Sequence, residues 1–477
     1  MKAALVVAVA LLPGLAAAKE PSPAAVKKAV EAALDRPAFA AAYWAVEVRS
    51  LASGRVLYER NARKNMTPAS TMKLLTTAAA LDTFGPDARF RTSLETAGRL
   101  DGLGRILGDV FLVGRGDPML SRPGPDGRSA FDVLADGLRA AGVARVEGRL
   151  VGHEGLFQDR RGEDWEWSDL VWCYGAEVSA LAWNDNCASL AVSAGERVGE
   201  PLFVDYRPRS RYFSVVSSAT TSAAGTESDL RLERDLGSNA IRLSGTHPLG
   251  AEAEELHVAL EDPARYAASV FIEGLEARGI RVSGDAATSS APLPPGARTL
   301  VAHDSLPLSE MLKLVNKPSQ NLYTEMLLRQ LGARSKGEGS LEAGREALGE
   351  FLKRFGVGGQ GLVQDGSGLS RTDMVAPHDL VSLLVAMDKH RHAATFRDSL
   401  PIAGVDGTLE TRMRGTAAER RVLAKTGTLR QANALAGYLT TKSGSRLAFS
   451  IVVNHHTAPS REATQAIDAL MVALAGS

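Results

Sequence analysis

Ser70 and Lys73 stand three positions apart within "TPASTMKLLTTAAALDTFG" (67–85). On a helix that spacing puts both on one face, where the hydroxyl can touch the amine. The pattern predicts a helix with Thr67 as N-cap, Pro68 in the first turn and Gly85 as the stop. Such a helix is mostly small and apolar, with no acidic residue before Asp82, so it should be buried. A buried ammonium without a partner is costly, and Lys73 therefore needs a reason. Chemistry supplies one. A serine hydroxyl is a poor nucleophile until a base takes its proton, and lysine becomes that base when burial or neighbouring cations lower its pKa.

Two further motifs follow in the chain: Ser319-Gln320-Asn321 and Lys425-Thr426-Gly427. A lone Ser-x-x-Lys is a weak signal, but Ser-x-x-Lys, Ser-x-Asn and Lys-Thr-Gly in this order form a known catalytic set. Ser70-Lys73 is the sole Ser-x-x-Lys in the chain and Ser319-Asn321 the sole Ser-x-Asn. The roles follow from the groups. Ser70 attacks and Lys73 accepts its proton. Ser319 relays a proton to a leaving amine, and Asn321 orients the amines and the substrate backbone. Lys425 adds positive charge that favours a neutral Lys73. The backbone N–H of Thr428, with that of Ser70, would make an oxyanion hole, and the Thr426 and Thr428 hydroxyls suit a substrate carboxylate. Lys442-Ser443-Gly444 also fits Lys-Ser/Thr-Gly, but it lies between two apolar runs where a hairpin turn is expected.

These residues need a scaffold, and a length of 477 residues suggests two to four domains at ~100–200 residues each. Lys plus Arg and Asp plus Glu both total 55, so no net field recommends nucleic acid or an acidic membrane as partner. Residues 1–18, "MKAALVVAVALLPGLAAA", read as a secretory signal peptide, with a mature chain from near Lys19 and no transmembrane anchor after cleavage. An extracytoplasmic location permits disulfides. Cys173 and Cys187, the two cysteines, either close a small loop or remain buried thiols.

The mature chain changes character twice. The helical "SPAAVKKAVEAAL" precedes a hairpin, "YWAVEVRSL" and "RVLYERN", joined through Ala52-Ser53-Gly54. From about Leu94, β-like pieces ("DVFLVG", "ASLAVS", "AIRLSG", "LHVALE") alternate with glycine-rich turns and helices such as "PARYAASVFIEGLEARG". No lysine occurs between Lys73 and Lys313, and "TSSAPLPPGARTL" reads as a linker. Helices then return ("LPLSEMLKLVN", "LEAGREALGEFLKRFG", "PHDLVSLLVAM"). The chain ends in strands "RVLAKTGTL", "ALAGYL" and "RLAFSIVVN" and a helix from about Ser460. The expected arrangement is one catalytic domain from 19–93 and 294–477, with 94–293 inserted as one or two smaller domains.

Together with the three motifs, "PASTMKLLTTAAAL", "GDVFLVGRGDPML", "YGAEVSALAWNDN", "DGSGLSR" and "AGVDGTLETRM" resemble the class C low-molecular-mass penicillin-binding proteins, D-alanyl-D-alanine carboxypeptidase/endopeptidases of the penicillin-binding protein 4 type. The resemblance covers nearly the whole mature chain. It implies an α/β (α+β) penicillin-recognition fold, a five-stranded antiparallel sheet between helices, interrupted after the Ser-x-x-Lys helix by nested domains. It also implies the roles above for Ser70, Lys73, Ser319, Asn321 and Lys425 and the oxyanion role; Thr426, Gly427 and Thr428 are the candidate oxyanion and substrate-binding residues. The expected substrates are peptidoglycan stem peptides or cross-links in the periplasm, with β-lactams as covalent inhibitors and neither metal nor organic cofactor. The alternatives are a β-lactamase or esterase on the same site, or a catalytically poor wall-binding, penicillin-sensing protein. Gln320 replaces the Asp of the usual second motif, at a position whose side chain the chemistry does not use.

Other features have blander readings. Arg115-Gly116-Asp117 suits a turn between strands, His455-His456 a strand end, and Asp365 and Asp406 turns near the cleft. "EDWEWSDLVWCYG" holds three of the five tryptophans and reads as an interface core. Within it, Asp169 beside Trp167 is a candidate for recognising the ammonium end of a diamino-acid side chain, against the simpler reading that it caps or turns a loop.

Overall fold

A computed structural model of the protein describes residues 20–358 and 361–477; the signal-peptide reading of 1–18 lies outside them. The expected hairpin and the three C-terminal strands join in one five-stranded antiparallel sheet. Its order is Val422–Leu429, Ala432–Thr440, Arg446–Asn454, Tyr43–Ser50 and Val56–Arg60. The Ala432–Thr440 and Arg446–Asn454 strands are buried along nearly their whole length because helices cover both faces. Alternation sorts their side chains. Leu435, Leu439, Phe449, Ile451 and Val453 meet the terminal helices Pro23–Leu34 and Ser460–Ala475. Ala436, Tyr438 and Ala448 join the opposite core, built from helices Lys73–Phe84, Leu308–Asn316, Asn321–Lys336, Leu341–Arg354 and Pro377–Asp388. Ser22 caps the first helix, its Oγ accepting the Ala25 N–H at 3.2 Å.

The helix that carries Lys73 begins later than the capping pattern predicts. A single 3₁₀ turn, Ala69–Met72, precedes the α-helix Lys73–Phe84, and Gly85 ends it at φ 78°. Thr67 is not its N-cap. Tertiary contacts hold Thr67 instead: its N–H donates to Asn454 Oδ1 at 2.9 Å and its hydroxyl reaches Arg371 O at 3.5 Å.

Between the two halves lie two further hydrophobic cores. The first packs helices Ala130–Ala140 and Pro263–Glu276 on a sheet ordered Ala286–Ser289, Leu150–His153, Val110–Val113, Arg91–Thr96 and Arg298–Asp304. The second gathers around Cys187–Ser193, Phe203–Arg207, Glu254–Ala259 and Ala240–Pro248. The first sheet takes in Arg91–Thr96 and Arg298–Asp304, which straddle or pass the boundaries drawn at 93 and 294. The proline-rich "linker" connects Ala286–Ser289 to Arg298–Asp304, the two edge strands of this sheet. We place the junction at Phe90 and Ser305, which exchange backbone and side-chain bonds at 2.9 and 3.0 Å.

Candidate active site

Ser70 lies in the 3₁₀ turn directly after Ala69, whose φ of 47° is left-handed for a residue with a Cβ. Such a conformation costs about 1–3 kcal/mol and persists where surroundings over-determine it. The surroundings here are two glycines. A Cβ on Gly427 would lie 2.7 Å from Pro68 O and 3.1 Å from Ala69 Cβ, and one on Gly368 would lie 1.9 Å from Ala69 O. The Lys-Thr-Gly strand and the "DGSGLSR" loop can therefore close on the Ser70 turn only where side chains are absent.

Lys73 is completely buried on the first turn of the following helix. Its Nζ lies 2.8 Å from Ser70 Oγ, 2.7 Å from Asn321 Oδ1 and 2.7 Å from Ser367 O. Burial lowers the lysine to about 7, against the opposing pull of Asp365, Glu325 and Asp373. A neutral amine has two hydrogens and one lone pair. With Asn321 Oδ1 and Ser367 O taking the hydrogens, the lone pair faces the Ser70 hydroxyl. Lys425, also fully buried, donates to Ser319 Oγ at 2.8 Å and Thr426 O at 3.0 Å. Burial first, and the nearby Lys73 second, hold it well below an ordinary lysine. Ser319 sits at φ 68° between helices Leu308–Asn316 and Asn321–Lys336.

Val422–Leu429 is an edge strand. Its outward row is identified by Ala424, whose N–H donates to Pro401 O, and by Val422, whose carbonyl accepts from Ala403 N. Alternation by two puts the N–H of Thr426 and of the exposed Thr428 on that same row, facing the cleft. Ser70, in the first turn of its helix, has an N–H outside the i→i−4 ladder. The Thr426 hydroxyl donates to Thr408 Oγ1 at 2.8 Å, so the "AGVDGTL" loop adjoins the carboxylate-suited threonines. Asp406 secures that loop, accepting from Ile402 N at 2.9 Å and Lys317 Nζ at 2.6 Å. Asp365 organises "DGSGLSR" by accepting the N–H groups of Ser367, Gly368 and Ser370.

The inserted region forms one wall. Asn321 Nδ2 donates to Tyr174 O at 2.9 Å, and Gln320 turns outward to Asp185 Oδ2 at 2.8 Å. Trp165 Nε1 donates to Asp365 Oδ2 at 3.0 Å, while Asp164 accepts from the Ser370 and Thr372 hydroxyls. A disulfide links Cys173 and Cys187 on either side of Tyr174 and Asp185. A cavity of about 600 Å³ opens beside Ser319 and Asn321, with Tyr174, Asp185 and Arg122 in its lining. Asp169 is only 8% exposed, and its Oδ1 accepts the Tyr174 hydroxyl at 3.1 Å. Burial raises Asp169 above the usual carboxylate range, and burial together with Asp169 pushes the Tyr174 phenol up to about 12. Trp167, by contrast, is 82% exposed.

The structure thus brings together Ser70, Lys73, Ser319, Asn321, Lys425 and the Thr426–Thr428 edge, and sets Asp169 behind Tyr174. Lys442 lies in the turn between the last two strands, His456 follows a strand end with Nε2 2.8 Å from Asn433 Oδ1, and Asp117 caps a turn by accepting Met119 N. Among the described residues no group of three or more His, Cys, Asp or Glu side chains is placed to hold a metal ion. Sequence reasoning missed Ser367, Glu325, Thr408 and Tyr174. Ser367 and Tyr174 act through backbone carbonyls that leave no trace in residue type, whereas Glu325, one helical turn after Asn321 on the same face, was a readable signal.

The profile of the D-Ala-D-Ala carboxypeptidase 3 (S13) family matches residues 26–474. The chain belongs to that family. It is 37% identical to the D-alanyl-D-alanine carboxypeptidase of Actinomadura sp. (strain R39), over 97% of this chain and 87% of the relative. It is 27% identical to the D-alanyl-D-alanine carboxypeptidase DacB of Haemophilus influenzae, over 86% and 85%. The fold is that of penicillin binding protein 4 from Haemophilus influenzae, with a TM-score of 0.81 at 24% identity over 95% of this chain and 99% of that one.

Proposed function

We propose that this family member is a serine D-alanyl-D-alanine carboxypeptidase/endopeptidase that cleaves peptidoglycan stem peptides or cross-links through an acyl-enzyme on Ser70. The observation that carries the reading is the three-way hold on Lys73 Nζ, which leaves a near-neutral amine aimed at Ser70 Oγ. Lys73 takes the hydroxyl proton as Oγ attacks the carbonyl of the penultimate D-alanine. The N–H groups of Ser70 and Thr428 receive the oxyanion. Thr426 and Thr428 hold the terminal carboxylate, and Asn321 orients the acyl portion. As the amide bond breaks, Ser319, held by Lys425, passes a proton to the departing amine, and the substrate remains as an ester on Ser70. Water then cleaves the ester and restores the serine.

A β-lactam enters the same path, but its leaving group stays tethered and obstructs the water, so its adduct persists. The reading places the enzyme outside the cytoplasm; no helix among the described residues is long and apolar enough to cross a membrane. The test is mass spectrometry of the protein after penicillin exposure, followed over time, beside release of D-alanine from a D-Ala-D-Ala peptide. A long-lived adduct on Ser70 with turnover of the peptide is expected. Rapid loss of the penicilloyl group without peptide turnover would make the protein a β-lactamase, and a stable adduct without turnover a penicillin sensor.

A further inference from the structure

The helix Asn321–Lys336 is buried through its first three turns, and helices so enclosed are ordinarily apolar all round. This one carries a polar row at a single helical spacing: Asn321, Glu325 and Arg329, each i, i+4 to the last and all on one face. Arg329 Nη1 donates to Glu325 Oε2 at 3.1 Å, and its Nε reaches Asp159 Oδ1 of the inserted region at 2.6 Å. Glu325 Oε1 accepts two backbone donors, Gly366 N–H at 2.9 Å and Ser367 N–H at 2.8 Å. The carbonyl of that same Ser367 receives Lys73 Nζ. A wholly buried carboxylate is a poor choice for packing alone, because its desolvation penalty is several kcal/mol, of order, unless paired and hydrogen-bonded.

We propose that Glu325 is a positioning residue for Lys73: it helps fix the Ser367 carbonyl against Nζ, and its charge adds to the acidic pull that opposes loss of the Lys73 proton. The inference rests on the reading of Lys73 as the base. A neutral Lys73 keeps its lone pair on Ser70 only while both of its hydrogens are held, one by Asn321 and one by Ser367. One helix therefore governs both acceptors, Asn321 directly and Ser367 through Glu325. The charged groups facing this pair are Asp365 and Asp373 from the "DGSGLSR" side, Lys425 from the strand, and Arg329 behind Glu325. Burial, with Asp365 beside it, lifts the Glu325 carboxyl to about 7, while Arg329 and the Ser367 N–H oppose that rise. Glu325 is one of three carboxylates, with Asp365 and Asp373, that pull Lys73 towards the ammonium.

The experiment is the rate of covalent acylation by a labelled penicillin as a function of pH, on the full-length protein. It compares wild type, Glu325→Gln and Glu325→Ala, with Ser70→Ala as the blank and circular dichroism to check folding. Glu325→Gln keeps an oxygen for both N–H groups but removes a negative charge that favours the ammonium. The acid limb should move to lower pH by roughly one unit, with the plateau retained within about threefold. Glu325→Ala also strips the acceptor, leaving Ser367 N–H only its bond to Asp365 Oδ1 at 3.0 Å and Gly366 N–H without Glu325, and should lower the plateau about tenfold or more. A purely structural glutamate would lower Tm in Glu325→Gln and leave the acid limb on the wild-type curve; that result overturns the proposal. So does a folded Glu325→Ala protein with the wild-type plateau, and if Glu325→Ala does not fold, the Glu325→Gln curve decides. A wild-type protein that takes no penicillin on Ser70 overturns the functional reading itself, a failure that does not resemble either of the others.

Discussion

The floor of the cleft and its inserted wall are built on different physical terms. On the floor, Lys73, Lys425 and Glu325 are fully buried, and Lys73 Nζ has three hydrogen-bonding partners within 2.8 Å. Glycines at 368 and 427 admit the neighbouring backbones. On the wall, Trp167 is open to solvent, Tyr174 is half-exposed, and the contacts to the floor are separate hydrogen bonds involving Asp164, Trp165, Tyr174 and Asp185, the last two within the disulfide-closed loop. Low dielectric makes each floor contact strong and its loss expensive, whereas exposed partners can be replaced by water. Chemistry is concentrated where water is excluded, and the wall adjusts it.

Perturbing the floor should therefore give the largest effects. Ser70→Ala should abolish the penicillin adduct. Lys73→Ala should leave a folded protein that acylates about 10²–10⁴-fold more slowly, the usual cost of a positioned general base. In the wild type, acylation should rise with pH through about 7 on the proposed mechanism, in which Lys73 acts as the neutral amine and burial has brought it there from the ordinary lysine range. A stopped-flow acylation profile checks both points. A well-folded Lys73→Ala protein reacting at the wild-type rate would reduce the lysine to packing.

The contact between wall and floor should matter less. Trp165→Phe removes one bond to Asp365, which keeps its three backbone donors. One net hydrogen bond is worth about 1 kcal/mol, so acylation should slow about fivefold. A loss of the Lys73 magnitude would mean that the inserted region is part of the catalytic floor.

The smallest effect should come from Asp169→Asn. Asparagine retains an acceptor for the Tyr174 hydroxyl, so kcat/KM for peptides with free and with acylated side-chain ammonium groups should change equally and by less than about threefold, on the scale of a substitution that keeps its hydrogen bond. A loss confined to the free-ammonium peptides would restore Asp169 as a cation-recognising residue.

Residue type and spacing alone determined the motif residues, the five strands of the main sheet and most helices. Each rests on local physics: a hydroxyl and an amine one turn apart, a period of two in apolar residues, a serine before a proline-led helix. They did not determine the 3₁₀ start at Ala69, because that conformation is imposed by Gly368 and Gly427 from distant segments. They also missed the strands on either side of the Phe90–Ser305 junction, since a proline-rich stretch looks the same in a linker between domains and in a connection between two edge strands of one sheet. The tertiary structure alone decided that Asp169 faces Tyr174 and that Ser367 offers its carbonyl to Lys73. Local patterns in a sequence record what neighbours along the chain require of one another. The pKa of a buried lysine and the direction of a carbonyl are set by groups hundreds of residues away, through burial and geometry that no spacing encodes.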